Sequence, residues 1–478
     1  MTQSTAQCPF NRLRRAVTSR TATRGGRRAP GPCGFPGIGS LPAMKRDVLG
    51  LMLRGMREHG DVVRYKVGPM TAHLVCHPDD IAHVFAHPEL YDKQTFASAK
   101  IRKITGDGLL VTNGERWAEQ RRAIQPAFSA ARVARFLNLV VHNTDRMLDR
   151  WADAARAGTP IDVASQMMRL TYNIVEQALF STDPTAEADE SVGDIEQAIT
   201  VAMAHAYREV ENPLSLSAFL PTPANRRFRR AMRVLEQRVD RIIEAHRHGD
   251  GHDDLLTGLM RAGDSGKCPH LDDRSLRSQT ITMLLAGHET TANALTWLWH
   301  CLDRCPDVAD RVGEEAQRVL DAGPMTHDQL DSLTYTAMSV REAMRLHTPI
   351  WAIVRRVVDD DVIRGYRIPR GTKLVISPYV THRHAEFWPD AERFDPQRFE
   401  PGRIRAMHPC AYIPFGGGPR FCVGQSLARL EAVVIAARVA RRYRLRLVPG
   451  HPVEADPGIT LRSRHGLKMT LESRSLGS

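Results

Sequence analysis

The sequence predicts a mainly helical α+β fold with small β-sheets, and three observations carry that prediction. Most of residues 45–350 shows helical spacing of apolar residues with short breaks. The apolar stretch ITMLLAGHETTANALTWLW lies in a run that reads as one helix, from Asp273 as N-cap to Cys305, before Pro306. Strand-like segments concentrate after position 350, in AIVRRVV, VIRGYRI and TKLVISPYV, with a Pro-Arg-Gly turn between the last two.

In chain order, residues 1–29 are rich in Arg, Ser and Thr and read as a disordered extension. PGPCGFPGIG is an extended entry into a single folded domain over 30–478. TAHLVCH is a short strand. FLPTPANRRFRRAMRVLEQRVDRIIEAHR is a Pro-punctuated loop followed by an amphipathic helix, and HRHGDGHDD is read as a solvated loop. The long helix would measure roughly 50 Å at 1.5 Å per residue. Another spans about Tyr335–His347 and stops before Pro349. A helix follows Cys422, and a terminal hairpin is expected around GITLRSRHGLKMTLE.

Composition narrows the function. The 478-residue chain is 42% apolar and 25% charged, ordinary for a globular protein, with no run of 18 apolar residues to span a membrane. Its net charge is +12, yet the first 28 residues alone hold seven arginines and no acid. Only eight of the 66 basic residues are lysine. That skew suits a GC-rich bacterial genome, and no basic–aromatic run supports nucleic-acid binding. The eight cysteines form no CxxC and no dense framework, which points to a reducing, cytoplasmic compartment. An organellar address is the alternative, should residues 1–29 be a transit peptide.

The most informative stretch is PFGGGPRFCVG, Pro414–Gly424. A thiolate binds iron strongly but is easily protonated or oxidised, so it benefits from nearby positive partial charge. A helix starting just after Cys422 supplies unpaired N–H groups. Gly416, Gly417, Gly418 and Gly424 would let the backbone curl toward the sulfur and a flat macrocycle. Arg420 can reach an acidic group on a cofactor's edge, and Phe415 can shield the sulfur. Phe415, Gly418, Arg420, Cys422 and Gly424 fill every fixed position of F-x-x-G-x-R-x-C-x-G. The stretch therefore resembles the haem-binding signature of the cytochrome P450 superfamily, in its soluble bacterial form.

Further segments follow in that family's order. AGHETT places Ala286 and Gly287 where a flat cofactor and dioxygen could lie against the long helix, and Glu289 and Thr290 resemble the family's acid–threonine oxygen-activation pair. A glycine inside a helix costs roughly 1 kcal/mol relative to alanine, so Gly287 needs a reason. Glu342 and Arg345 share a helix face, and the resemblance adds Arg398 to make a structural charge triad. It also implies haem-propionate contacts from Trp117, Arg121 and Arg355.

The resemblance implies a P450 fold whose long central helix crosses a haem b held by Cys422, with Thr290 and Glu289 as catalytic residues. The expected activity is insertion of one oxygen atom from O2 into a lipophilic small molecule, most simply a terpenoid or another natural product. No fused flavin or nicotinamide domain is evident, so electrons are expected from a separate ferredoxin and its reductase. Arg116, Arg122, Arg429 and Arg438 are the basic docking residues considered, and the chain is expected to act as a monomer. The pocket is expected to include Leu110, Ile350, Trp351, Ala352, Ile353, Val354, Ile459 and Thr460, together with the region before Pro221. Three alternatives stay open. One is a fatty-acid hydroxylase whose substrate carboxylate meets Lys100, Arg102 or Lys103. Another is a peroxide-driven peroxygenase. The third is a non-enzymatic haem sensor or inactive helper.

Overall fold

A computed structural model describes residues 26–182, 189–211, 222–248, 253–265, 268, 271–320 and 325–474. The Arg-rich extension expected over 1–29 therefore lies outside the described residues for its first 25 positions. The pocket segment expected before Pro221 lies outside them as well.

The chain divides into two compact units. The first comprises the described residues up to Thr95 with Ile350–Arg393 and Pro401–Cys422. It is built on a five-stranded sheet in the order Val62–Val67, Met70–Val75, Lys373–Ile376, Ile353–Val357, Tyr91–Asp92. The first two strands form an antiparallel hairpin turning at Gly68, whose φ of 57° suits glycine. Lys373–Ile376 then pairs parallel to Met70–Val75, and Ile353–Val357 runs antiparallel to it. Val62, Val75, Ile81, Phe85, Tyr91, Val357, Leu374, Ile376 and Ile413 form the buried core beneath. VIRGYRI is a hairpin of Asp361–Ile363 and Tyr366–Ile368, with positive φ at Arg364 and Gly365. The strand-rich segment after 350 is thus not self-contained, because two of its strands complete a sheet begun near residue 62.

The second unit comprises Phe96–Pro349, Phe394–Glu400 and Val423–Ser478. Its axis is the helix Asp273–Arg304, 32 residues long. The cap is Asp272, not Asp273, for the Asp272 carboxylate accepts from Ser275 N–H. The helix is buried along most of its length, polar residues such as Gln279, His288, Glu289 and Asn293 included. It packs against Val163–Phe180, Pro223–His248, Thr334–Leu346 and Gln425–Arg442. The expected terminal hairpin does not form. Leu461–Ser463 pairs with Ala455–Pro457, whereas Lys468–Ser473 pairs with Tyr443–Leu447 and Ile161–Asp162. HRHGDGHDD is not simply a solvated loop either. His246 and His248 end the helix Pro223–His248, and buried His246 Nε2 lies 2.7 Å from Asp254, the N-cap of Leu255–Asp264.

Candidate active site

The cysteine loop bends at Gly416 (φ 73°) and Gly418 (φ 65°), where any side chain would be strained. At Gly418 a Cβ would also lie 2.6 Å from the Phe85 carbonyl oxygen. The Cys422 N–H donates to the Phe415 carbonyl at 3.1 Å and closes the turn. Cys422 is exposed and Phe415 half-buried. Gly417 (φ −164°) and Gly424 (φ −87°) have ordinary backbone, so the curl requires two of the four glycines, not all. Gly424 serves instead as N-cap of Gln425–Arg442, a position glycine fills well.

The same unit gathers positive charge. Arg355, on the Ile353–Val357 strand, is buried, and loss of hydration lowers its guanidinium to about 10 against the pull of Asp92. Arg420 is also lowered to about 10, by burial first and then by repulsion from Arg355. Lys93, which sequence reasoning passed over, lies within electrostatic reach of both arginines and of Cys422. Its ammonium is pushed well below its ordinary value, chiefly by burial. Asp92, the carboxylate acting on both guanidiniums, is bonded by Arg356, with Nε 3.1 Å from Oδ1. Of the expected pocket residues in this unit, Ile350, Trp351, Ala352, Ile353 and Val354 are all half-buried. Ile353 Cδ1 stands 3.7 Å from where a Cβ on Gly416 would be, so this side chain borders the cysteine loop.

On the long helix, Ala286 is exposed and Thr290, one turn later, half-exposed, while most flanking residues are buried. The Thr290 hydroxyl donates to the Ala286 carbonyl at 2.8 Å. Gly287 has a different reason from the one expected: its Cβ would meet Val175 Cγ2 at 2.8 Å, so glycine admits the helix Val163–Phe180. The Thr171 hydroxyl reinforces that contact by donating to the His288 carbonyl at 3.0 Å. Glu289 is buried and turned toward the terminal segment, where Thr460 Oγ1 donates to its Oε1 at 2.6 Å. Asn293 in turn donates to Thr460 at 3.2 Å. Thr460, expected as pocket wall, is therefore a buried support for Glu289. Ile459 beside it is half-buried, and Leu110 is exposed.

The charge triad forms within the second unit. Arg345 holds Glu342 through two bonds, at 2.7 and 2.8 Å, with both side chains fully buried. Arg398 approaches the same carboxylate at 3.4 Å, and Asp395 N–H donates to it at 2.9 Å. Burial alone would raise the Glu342 pKa strongly; the Arg345 bonds and charge oppose it, leaving a net upward shift. Trp117 and Arg121 lie one turn apart on Gly114–Ile124, both half-buried.

Comparison with known proteins decides the family. The Cytochrome P450 family profile matches residues 29–467. The chain belongs to the cytochrome P450 family. It is 35% identical over 454 residues to a cyclooctatin synthase of Streptomyces melanosporofaciens, covering 95% of this chain and 97% of that protein. It is 35% identical over 421 residues to a cyclooctat-9-en-7-ol 5-monooxygenase of the same organism (88% and 90%), and 34% over 449 residues to a pentalenene oxygenase of Streptomyces avermitilis (93% and 97%). This P450 is thus an oxidoreductase, a monooxygenase of the haem-thiolate class, and the helper-protein alternative falls away.

The residues present fit the haem iron that a P450 implies. A cysteine on a glycine-bent loop supplies a thiolate donor, and the clustered cations beside it suit a group bearing carboxylates. Two of the basic docking residues are otherwise engaged. Arg438 is buried and grips Asp145 at 2.6 and 2.7 Å, and Arg116 pairs with Asp107 at 3.2 Å. Arg122 and Arg429 are exposed. Besides Lys93, sequence reasoning missed Glu431, a fully buried carboxyl raised to about 8 by burial. Thr291 lies near enough to oppose that shift slightly, but neither Glu431 oxygen finds a well-aligned hydrogen bond among the described residues. The signal was an acid among apolar neighbours in LARLEAVVIAA. Among the described residues, no helix is long and apolar enough to cross a membrane.

Proposed function

We propose that this P450 hydroxylates a neutral, lipophilic natural product of terpenoid type, with electrons from a separate ferredoxin and reductase. The observation that carries the substrate class is the fate of the basic trio that a fatty acid would need. Lys103 holds Glu209 at 3.0 and 3.1 Å, and Lys100 approaches it at 3.5 Å. Arg102 pairs with Asp107 at 3.0 Å and donates to the Val111 carbonyl. These charges are satisfied inside the protein, so a substrate carboxylate would have to displace an existing partner. The relatives' names agree in kind: pentalenene is a hydrocarbon name and cyclooctat-9-en-7-ol an alcohol name, neither an acid.

Cys422 would bind the haem b iron, and Trp117, Arg121, Arg355 and Arg420 would hold its carboxylates. When bound, the haem supplies dioxygen activation, one oxygen atom entering a C–H or C=C bond and the other leaving as water. Glu289 and Thr290 would handle protons. Thr460 bonds one carboxylate oxygen of Glu289 and is itself held by Asn293, while buried Oε2 has no hydrogen-bond partner among the described residues. Thr290 Oγ1 donates to the Ala286 carbonyl and keeps acceptor capacity, so rotating the hydroxyl redirects that donor toward a bound ligand. Exposed Arg122 and Arg429 would attract an acidic ferredoxin, an attraction that salt screens.

Spectral titration of the ferric protein tests the substrate. Terpenes should displace iron-bound water, and fatty acids should do so weakly or not at all. Tight shifts with fatty acids that vanish in Lys100 or Lys103 variants, with none for terpenes, would overturn the choice. Turnover with peroxide alone exceeding that with reductase and ferredoxin would overturn the electron source.

A further inference from the structure

We infer that this P450 attaches peripherally to anionic lipid bilayers through a turn near its N-terminus, with Phe35 and Ile38 as apolar anchors in a basic surround. Among the described residues four large apolar side chains are exposed, and two of them share this one turn: Phe35 at 63% and Ile38 at 46%. Apolar side chains scattered singly over a surface need no explanation, but a pair projecting from one tip does. Exposed turns ordinarily carry polar residues. Here residues 33–38 are all exposed, and their only polar side chain is the Cys33 thiol.

The turn keeps most of its backbone polar groups occupied. Phe35 N–H donates to the Gly39 carbonyl at 3.0 Å, and Gly39 N–H returns a bond to the Phe35 carbonyl at 2.7 Å. Ile38 N–H donates to the Pro36 carbonyl at 2.9 Å across Gly37, whose φ of 74° suits glycine. Pro36 itself brings no N–H. The base of the turn is clamped to the hairpin Val62–Val67 and Met70–Val75. Ser40 N–H donates to the Lys66 carbonyl at 2.7 Å, and Gly68 N–H to the Ile38 carbonyl at 3.0 Å. Gly39 permits that approach, since a Cβ there would lie 2.1 Å from the Lys66 carbonyl oxygen. A fixed tip with apolar side chains and few open backbone groups can enter the boundary between headgroups and acyl chains while losing few hydrogen bonds to water.

Charge selects the kind of surface. The first 46 residues carry nine cations and no acid, so they account for nine of the chain's net charge of +12. Arg28 precedes the turn, Arg46 follows it on the helix Leu41–His59, and Lys66 lies on the strand that clamps its base; all three are exposed. The first acid along the chain, Asp47, is bonded to Arg54 at 3.4 Å. A specific protein interface covers about 800 Å² on each partner, far more than two side chains on one tip. A bilayer asks for no complementary shape, only apolar depth and negative charge, and the turn with its surround offers the counterparts of both.

The test sediments the full-chain holoenzyme with vesicles of phosphatidylcholine alone or mixed with phosphatidylglycerol. Wild type should bind the mixed vesicles, bind the neutral ones weakly, and come off as salt rises. Phe35→Ser with Ile38→Ser should weaken binding to mixed vesicles about tenfold or more, with the thiolate–CO band and melting of wild type, because both side chains are exposed. Phe35→Leu with Ile38→Leu should keep it. Arg28→Gln, Arg46→Gln and Lys66→Gln should each weaken it by about fivefold. Wild type that ignores both vesicles, or a double serine variant that binds mixed vesicles like wild type, would overturn the inference. So would binding to polyglutamate as tight as to mixed vesicles and indifferent to the serine changes, which would make the partner an acidic protein. A wild-type dimer in light scattering that the serine variant loses, without vesicle binding, would overturn it too and make the turn a contact between copies of this chain.

Discussion

Each unit of this protein holds a cluster of charged side chains, and the two are built on different principles. The Glu342–Arg345–Arg398 triad closes on itself: a carboxylate with no exposure takes a bidentate arginine, a second arginine and a backbone N–H. The Lys93–Arg355–Arg420 cluster gathers cations of like sign, two of which feel Asp92, the acid that Arg356 also bonds. A closed cluster has nothing to offer a ligand, and its removal is felt by the fold. A cluster of like charges is a poor stabiliser by itself, and its removal is felt by what it binds. Glu431 is a third solution: a buried acid with no counter-charge among the described residues that stays neutral by keeping its proton.

The sharpest way to break this distinction is Glu342→Ala. It strands Arg345 in a site with no water, at a cost of roughly 3–5 kcal/mol. Insoluble or haem-free protein is expected on expression. Soluble protein with normal haem content and unchanged melting would show that the triad is not closed in the sense argued.

Glu431 gives the next effect, and its sign can be worked out. Its pKa is about 8 in the folded protein against 4.5 as the ordinary value. Between those limits the folded state holds a proton that the unfolded state releases, so stability falls as pH rises from about 4.5 to 8 and then levels. At 1.36 kcal/mol per unit the loss is bounded at about 4–5 kcal/mol. Glu431→Gln should flatten this slope, melting higher than wild type at pH 8 and close to it at pH 5. Parallel pH profiles for the two proteins would show that Glu431 is ionised in the fold.

Arg355→Met tests the cationic cluster. It removes a cation from a crowded site, so the fold should persist while haem loss accelerates roughly tenfold to a hundredfold, the range for charged hydrogen bonds of 1.5–3 kcal/mol. Haem transfer and circular dichroism measured together separate the outcomes. A collapse of the fold with haem still present would assign Arg355 to the closed kind.

How much of this was legible in the sequence follows the same division. Cys422, Thr290 and the Glu342–Arg345 pair were legible because their chemistry depends on residues close in sequence: a glycine-bent loop, a hydroxyl on a helix face, an i,i+3 pair. Lys93 was not, because what brings it near Arg355 is the pairing of Tyr91 and Asp92 with Val357 and Arg356. The terminal strands were misassigned for a related reason. GITLRSRHGLKMTLE has the local pattern of a hairpin, but its two strands find separate partners. The cause of Gly287 was not legible either, since a helix glycine signals close approach without saying what approaches. Here it is Val175.

The smallest expected effect concerns Thr460, where sequence and structure assign different jobs. As a pocket wall, Thr460→Val would be nearly isosteric and more apolar, so it should bind apolar ligands at least as well and leave stability unchanged. As the support of Glu289, the same change removes the O–H that bonds Oε1 at 2.6 Å and leaves a buried carboxylate oxygen unsatisfied. That should cost about 1–3 kcal/mol, with Thr460→Ser restoring it. Thr290→Ala should shift consumed reductant from product to peroxide, because the hydroxyl that positions the proton is gone. Thr460→Val should do so less, because Glu289 is still present but no longer fixed in place. Product formed per reductant consumed, read beside the melting temperature, separates the two roles. A valine variant with tighter ligand shifts, full coupling and wild-type melting would return Thr460 to the pocket.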